Sequence, residues 1–271
     1  MYEFDRSTPV TMVLRVHGGS VDIVAEERPD IQVDVQPMNG SDVALAAARD
    51  TRVLLEDDTL LVQVPGVDAW SWRRFPKLRI TARIPAGSGL AGKSASADIR
   101  ATGVYSTVQL DLASADVQLG EATGDVQLDT ASGDLTVDRV GGSLRGKSAS
   151  GDLRIGDVTG DVTLETASGD VRTGAIGGSL RAHTASGDIE IAMLSQGRAE
   201  IHAASGDIKV GVARGSNVWM DLNSASGKSV TDLAAHGDVP PDGSQVELEL
   251  HVQTASGDIR VQRAARSRQA A

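Results

Sequence analysis

Apolar and polar residues alternate with a period of two along most of the chain, in short runs separated by glycine. Typical apolar pairs are Leu153 with Ile155 and Ile189 with Ile191. This spacing places apolar side chains on one face of a β-strand and therefore predicts strands with one buried face. Only the segment 41–50, with sequence SDVALAAARD, favours a short helix.

An internal repeat organises these predicted strands. The tetrad Ala-Ser-Gly-Asp, with some substitutions, recurs every 18 residues, and its serines are Ser96, Ser114, Ser132, Ser150, Ser168 and Ser186. The spacing then widens to 19, 21 and 30 residues. A second glycine, such as Gly160 or Gly178, divides many repeats into two segments of about nine residues. Two strands and two corners per repeat predict one coil of a β-solenoid, with coils stacked about 4.8 Å apart.

The predicted fold is a single-domain, all-β solenoid with 18-residue coils and two short strands in each coil. Residues 1–90 follow the repeat less regularly, and we expect degenerate coils and a cap there, since a solenoid needs an end that blocks edge pairing. Residues 91–262 are predicted to form the regular solenoid, and residues 263–271 a basic flexible tail. The alanine before each serine, such as Ala167, is small enough for an inward corner position.

Stacking turns the aspartate of each tetrad into a column. A basic residue often follows two positions later, on the same face of the strand. Carboxylates about 4.8 Å apart repel by about 1 kcal/mol in water, and a neighbouring basic column would offset that repulsion. The repeat therefore predicts a structural ladder that contains Ser132, Asp134, Ser150, Asp152, Arg154, Ser168, Asp170, Arg172, Ser186 and Asp188.

The same column could suggest a calcium ladder. Calcium-binding β-rolls also run two nine-residue units per coil, but they take their ligands from a GGxGxD pattern that this repeat lacks, so we do not expect calcium. His183 and His202 are predicted to be neighbours on adjacent coils, but no third ligand is identifiable near them. We predict no metal site and no cofactor. We also predict no catalytic residues, because the sequence has no nucleophile elbow, zinc-protease helix or phosphate loop.

An aromatic segment interrupts the repeat between two strand-like runs. The segment 66–77 contains Trp70, Trp72, Arg73, Arg74 and Phe75. Tryptophan and arginine dominate the energetic centres of protein interfaces, which favours a partner-contact loop. The alternative is an apolar plug that folds over the end of the solenoid.

Charge and composition narrow the range of partners and compartments. The chain has 26 basic and 37 acidic residues and a net charge of −11, which argues against binding to nucleic acid. It has no cysteine, so disulfides, thiolate zinc sites and cysteine nucleophiles are excluded. No apolar run has the length of a membrane helix, and no signal-peptide pattern occurs. We expect no membrane insertion and a cytoplasmic location; the alternative is the cell surface, reached by an unrecognised export route.

Three stretches resemble a known bacterial family: the serial ASGD units, IPAGSGL at 84–90 and TASGDIRV at 254–261. The family is the "putative adhesin" or toastrack β-strand-repeat domain, a domain of unknown function. The resemblance covers essentially the whole chain and implies a single-domain β-solenoid without a defined catalytic motif. It also implies a link with cell-envelope stress systems.

Two functional hypotheses follow from these observations. The first is a non-enzymatic scaffold or protein-interaction module, linked to envelope stress or regulation, whose partner is another protein or a second copy of itself. The alternative is a surface adhesin, or a β-helix protein that binds or acts on carbohydrate.

Overall fold

The chain is an all-β solenoid with two strands in most coils, as the repeat predicts. The computed structural model describes residues 1–66, 76–233 and 246–264. The chain divides into two compact units, residues 1–141 and residues 142–271. The domain boundaries at residues 90 and 262 remain predictions.

Unit 1 begins with strands that do not follow the repeat and continues into regular coils. Its elements are β1 (Tyr2–Phe4), β2 (Thr11–Glu26), β3 (Ile31–Pro37), α1 (Asp42–Asp50), β4 (Arg52–Glu56), β5 (Thr59–Gln63), β6 (Lys77–Pro85), β7 (Ser88–Ser114), β8 (Val117–Ala122), β9 (Val126–Ser132) and β10 (Leu135–Val140). The helix predicted at 41–50 is confirmed as α1, and the Ser41 side chain caps it by accepting a hydrogen bond from the Ala44 N–H at 3.2 Å. No helix in the described part of the chain is long and apolar enough to cross a membrane.

The order of strands in unit 1 differs from their order along the chain. The long strand β2 pairs in parallel with β5 and β6 on one side and with β7 on the other. The coil formed by β5 and β6 therefore lies outside β2. Antiparallel strands cover this outer coil, because β3 pairs with β6 and β4 pairs with β5.

Unit 2 contains the most regular coils. Its strands are β11 (Leu144–Ser150), β12 (Leu153–Val158), β13 (Val162–Ser168), β14 (Val171–Ile176), β15 (Leu180–Ser186), β16 (Ile189–Leu194), β17 (Gly197–Ser205), β18 (Ile208–Val212), β19 (Val218–Ser226), β20 (Ser229–Thr231), β21 (Leu248–Ser256) and β22 (Ile259–Arg263). Parallel pairing shifts the chain by one repeat at each step, so that Ser150, Ser168, Ser186 and Ser205 are successive register partners.

The last two coils of unit 2 are stacked in the reverse of their order along the chain. Ser205 pairs with Ser256, and Ser256 in turn pairs with Ser226. The coil formed by β21 and β22 therefore lies between the coil of β17 and β18 and the coil of β19 and β20. The widened spacing of the last tetrads is where the chain departs from simple stacking.

The core of each coil is built from alternate residues of its two strands. In the coil from 162 to 176 the buried side chains include Val162, Leu164, Thr166, Val171 and Ile176. The prediction that the alanine before each serine points inward is wrong. Ala167 is exposed, because the alternation of the strand continues to Thr166 and the next residue therefore faces solvent as the chain enters the corner.

Candidate functional site

The aspartates of the repeat bind the backbone of the neighbouring coil. In each case Oδ1 of one aspartate accepts the backbone N–H of the aspartate in the next coil. The nitrogen-to-oxygen distances are 3.1 Å for Asp116 to Asp98 and 2.9 Å for Asp134 to Asp116 in unit 1, and 3.0 Å for Asp170 to Asp152, 3.0 Å for Asp188 to Asp170, 2.9 Å for Asp207 to Asp188 and 2.8 Å for Asp258 to Asp207 in unit 2. An ionised acceptor makes these hydrogen bonds stronger than neutral ones.

Lys228 is the exception in this column, and its position in the stack explains why. Its N–H donates to Asp258 Oδ1 at 2.9 Å, so its backbone is held as in the other coils. Lys228 belongs to the outermost coil of unit 2, and within the described residues of that unit no further coil needs an acceptor from its side chain. A basic side chain is therefore tolerated at this end of the column.

Glycine precedes the aspartate at most corners, whereas an alanine precedes Asp98 and Asp116. Gly187 has a φ of 141°, which L-residues with a side chain rarely adopt. A Cβ atom built on Gly187 would lie 2.1 Å from the carbonyl oxygen of Gly169 in the neighbouring coil. The corner glycines therefore allow the backbones of successive coils to approach.

The basic residues two positions after the aspartates are used in two ways. Arg154 binds Asp152 at 2.6 Å and Arg172 binds Asp170 at 2.8 Å, each within its own coil. The next coil has Glu190 at this position, and Lys209 binds Glu190 at 2.6 Å across the two coils. The Asp–Arg pattern is therefore replaced by a pair between coils at this point.

A groove lies at Glu190 and Lys209, where the Asp–Arg pairs within a coil give way to an ion pair between coils. It encloses about 220 Å³, and its lining residues are Arg172, Asp188, Ile189, Glu190, Asp207, Ile208, Lys209, Asp258 and Arg260. We call this set the charged groove. Its floor belongs to four neighbouring parallel strands, β14, β16, β18 and β22, which hold the side chains in fixed register.

Arg260 lies at one end of the charged groove between two unlike neighbours. Its register partners are Lys209 on one side and Val230 on the other. Lys209 is already bound to Glu190, and the exposed fraction of Val230 is 52%. Arg260 is therefore next in register to a second cation and to an exposed apolar residue, a combination that suits a carboxylate carried on an apolar surface.

Ser150, Ser168 and Ser186 of the predicted ladder are successive register partners, and the side chains of these serines and of Ser132 are exposed. In some coils a hydroxyl two residues before the serine binds the corner instead. Thr166 Oγ1 donates to the carbonyl oxygen of Ser168 at 3.3 Å, and Thr254 Oγ1 to that of Ser256 at 3.2 Å. Our sequence reasoning missed this buried position, although the recurrence of threonine in TASGD was a visible signal for it.

His183 and His202 are register partners on β15 and β17. In the part of the chain that the structure describes, no three His, Asp or Glu side chains come together as metal ligands would. On the other side of His183 lies Glu165, whose pKa is lowered chiefly by the hydrogen bond from Lys147, with smaller contributions from the nearby positive charges. Ion pairs therefore dominate the electrostatics of this face.

The predicted contact loop falls in a stretch that the structure does not describe. Trp70, Trp72, Arg73, Arg74 and Phe75 all lie in residues 67–75, outside the described ranges. The choice between a partner contact and a cap remains a prediction. Residues 265–271 of the predicted tail are also outside the described ranges.

Comparisons with known proteins show the family of this chain. A crystal structure from Bacteroides fragilis, described as a "putative adhesin", is 15% identical, with 96% of this chain and 95% of that chain covered and a TM-score of 0.48. A Parabacteroides distasonis structure, described as a "putative lipid binding protein", is 12% identical, with 96% and 95% covered and a TM-score of 0.39. No curated protein matches the chain. The sequence model of the Toastrack DUF4097 family, a domain of unknown function, matches residues 11–262, and the chain belongs to this family.

Proposed function

We propose that this chain is a non-enzymatic interaction module that binds a protein partner at the charged groove. The observation that carries the proposal is the position of Arg260, between a cation and an exposed apolar side chain on a rigid sheet. A module of this kind acts as a scaffold, because the parallel strands under the groove keep its charges in place before the partner arrives.

The proposal of a non-enzymatic role is supported by how the repeated carboxylates are used. Asp188 and Asp207 line the groove, but one oxygen of each already accepts a backbone N–H from the next coil. The same bond recurs in most coils, whereas a catalytic group is ordinarily a singular arrangement. These aspartates hold the coils together, and the groove is left to bind.

A protein partner fits the groove better than a carbohydrate does. Arg260 can form two parallel hydrogen bonds with a carboxylate, and Val230 beside it offers an apolar contact. A sugar platform would need an aromatic face, and the lining residues that belong to the described part of the chain include no aromatic side chain. The proposed partner therefore presents an acidic side chain flanked by an apolar one.

A charge reversal tests this proposal. The full chain and its Arg260→Glu variant serve as baits in cells, with amine-reactive cross-linking to record contacts at Lys209. The matched control is Arg100→Glu, which changes the same position of the repeat in unit 1. We expect the Lys209 cross-links to a partner to be lost in Arg260→Glu and retained in Arg100→Glu. Equal capture by both variants would reject the groove as the binding site.

The alternative hypothesis, a surface adhesin or carbohydrate-binding protein, differs in where the chain is found and what it binds. The scaffold proposal expects the chain in the cytoplasm, and the adhesin hypothesis expects it at the cell surface. Cell fractionation distinguishes them. Binding to a glycan array that survives Arg260→Glu would favour the alternative.

A further inference from the structure

The outermost coil of unit 2 has an edge that the chain does not cover in the described residues. β19 pairs with β21 on one side, and no other strand of the described part of unit 2 pairs with its opposite side. We call that opposite side the outer edge of β19. An edge of this kind is a template for a further strand.

The backbone groups along the outer edge can be identified from the pairing on the inner side. The carbonyl oxygen of Asn217 accepts the N–H of Leu248 at 3.2 Å, so Asn217 faces β21. Because alternate residues of a strand face opposite neighbours, Val218, Met220 and Leu222 direct their N–H and C=O groups to the outer edge. Their side chains are half-buried, whereas their register partners in β21 are fully buried. Apolar surface and backbone groups are thus available together.

In unit 1 the chain covers its own outermost parallel strands with antiparallel strands. There β3 lies antiparallel on β6 and β4 lies antiparallel on β5. In unit 2 the described residues supply no such strand to β19. An antiparallel strand from elsewhere would complete the same arrangement.

We propose that this strand is β19 of a second copy, paired antiparallel about a two-fold axis at Leu222. Leu222 is the midpoint of β19, so this register sets all nine of its residues opposite one another, with the Ser226 carbonyl oxygen already accepting the Gly257 N–H on the inner side at 3.1 Å. It sets three large side chains opposite small ones and the carboxylate opposite an amide, in the pairs Val218–Ser226, Trp219–Ala225, Met220–Ser224 and Asp221–Asn223, while Leu222 lies opposite Leu222 of the other copy on the axis. The strand is therefore complementary to itself in size and in charge.

Neighbouring registers lose this complementarity. A two-fold axis at Asp221 would place the two Asp221 carboxylates directly opposite each other, which is destabilising. It would also set Met220 against Leu222 and leave the two C-terminal residues of β19 without partners. The arrangement about Leu222 gives a closed dimer rather than a growing filament, because the same edge is used by both copies.

Two substitutions at one exposed position test the register with opposite expected outcomes. In the proposed dimer, Asn223→Lys sets an ammonium opposite each Asp221 carboxylate, and Asn223→Asp sets a carboxylate there. Sedimentation velocity over a range of concentrations measures the dimer dissociation constant of the full chain and both variants. With two such contacts in each dimer, we expect about tenfold tighter association for Asn223→Lys and about tenfold weaker association for Asn223→Asp. The proposal would be overturned if the native chain and Asn223→Lys were both monomeric, or if the two variants had equal dimer dissociation constants.

A second pair of variants tests the backbone contacts. Leu222→Pro and Leu222→Ala both shorten the side chain, but only proline removes the N–H from the outer edge. We expect dimerisation to be lost in Leu222→Pro and weakened in Leu222→Ala. Hydrogen exchange is also measured at concentrations at which the chain is monomeric. Protection of the outward-facing β19 amides in the monomer would mean that the chain itself covers this edge, and would contradict the proposal.

This inference is independent of the charged groove. The dimer uses residues of β19, and the groove experiment changes Arg260 on β22. If the native chain stays monomeric but its Lys209 cross-links to a partner are lost in Arg260→Glu, only the dimer proposal fails. If the native chain dimerises as proposed but Arg260→Glu keeps those cross-links, only the groove proposal fails.

Discussion

The hydrogen bonds between successive aspartates should make a measurable contribution to stability, and Asp188 is the residue with which to measure it. Its Oδ1 accepts the N–H of Asp207 at 2.9 Å, and the N–H of Asp188 is in turn bound by Asp170 at 3.0 Å. Asp188→Ala removes the acceptor, whereas Asp188→Asn retains an acceptor and removes only the charge. The difference between the two variants isolates the hydrogen bond.

The expected free energies follow from two opposing effects. A hydrogen bond of this kind contributes about 1 kcal/mol to the free energy of unfolding, so Asp188→Ala should be less stable than Asp188→Asn by about that amount. Each neighbouring carboxylate, about 4.8 Å away, repels the Asp188 charge by about 1 kcal/mol in water. Asp188→Asn should therefore be as stable as the native chain or slightly more stable, with the gain disappearing in high salt.

Chemical denaturation followed by circular dichroism measures these differences, and Lys228 supplies the matched control. Lys228 occupies the same position of the repeat, but its side chain holds no N–H of an outer coil among the described residues of unit 2. Lys228→Ala should change the free energy of unfolding by less than about 0.5 kcal/mol. Equal stability of Asp188→Ala and Asp188→Asn, or an equally large loss in Lys228→Ala, would refute the ladder as a source of stability.

Three further predictions concern other buried or paired groups. Thr184 Oγ1 is buried with no hydrogen-bond partner among the described residues, so Thr184→Val should be neutral or stabilising in thermal unfolding, whereas Thr254→Val, which loses a bond, should be destabilised by about 1 kcal/mol. Burial raises the pKa of Tyr105, whose hydroxyl contacts two carbonyl oxygens, so the native chain should lose stability relative to Tyr105→Phe as the pH rises above about 10. A difference in the free energy of unfolding between the native chain and Tyr105→Phe that stays constant as the pH rises would contradict this prediction. The Lys147 hydrogen bond lowers the pKa of Glu165. The stability that Glu165 contributes is therefore present above its ordinary pKa of 4.5 and is lost as the pH falls through the lowered value. Glu165→Gln should abolish this part of the acid dependence when unfolding is measured as a function of pH.

The local structure of the coils could be predicted from the sequence because each coil repeats the same requirements. The period of two gives the buried face of each strand, and the corner at Gly187 needs glycine because a Cβ there would meet the neighbouring backbone. The helix at 42–50 was predicted within one residue, as the segment 41–50. The inward alanine was a wrong prediction, since the corner begins one residue later than a simple division of the repeat suggests.

The stacking order and the charged groove were harder to predict. Parallel coils of similar sequence pair about equally well with one another, so tetrad spacing alone does not determine which coils are neighbours. Lys228 was the available clue, because its side chain supplies no acceptor and its coil is the outermost one among the described residues of unit 2. The groove depends on Lys209 reaching across to Glu190 instead of to Asp207 in its own coil, and side-chain direction of this kind is not encoded in the spacing.

The reversed order of the last two coils of unit 2 also connects stability with the proposed dimer. β21 and β22 are paired on both sides, so releasing residues 248–263 breaks two interfaces between coils instead of one. β19 cannot join the stack before β21, because β21 is the only strand of the described part of unit 2 with which it pairs. In a chain that has not yet completed this step, the outermost strand is β17, which carries Arg198 and Glu200 in an ion pair at 2.9 Å and is thereby a poor template for a second chain. The self-complementary edge of β19 is therefore presented only once residues 248–263 are in place, so that pairing between copies selects completed chains.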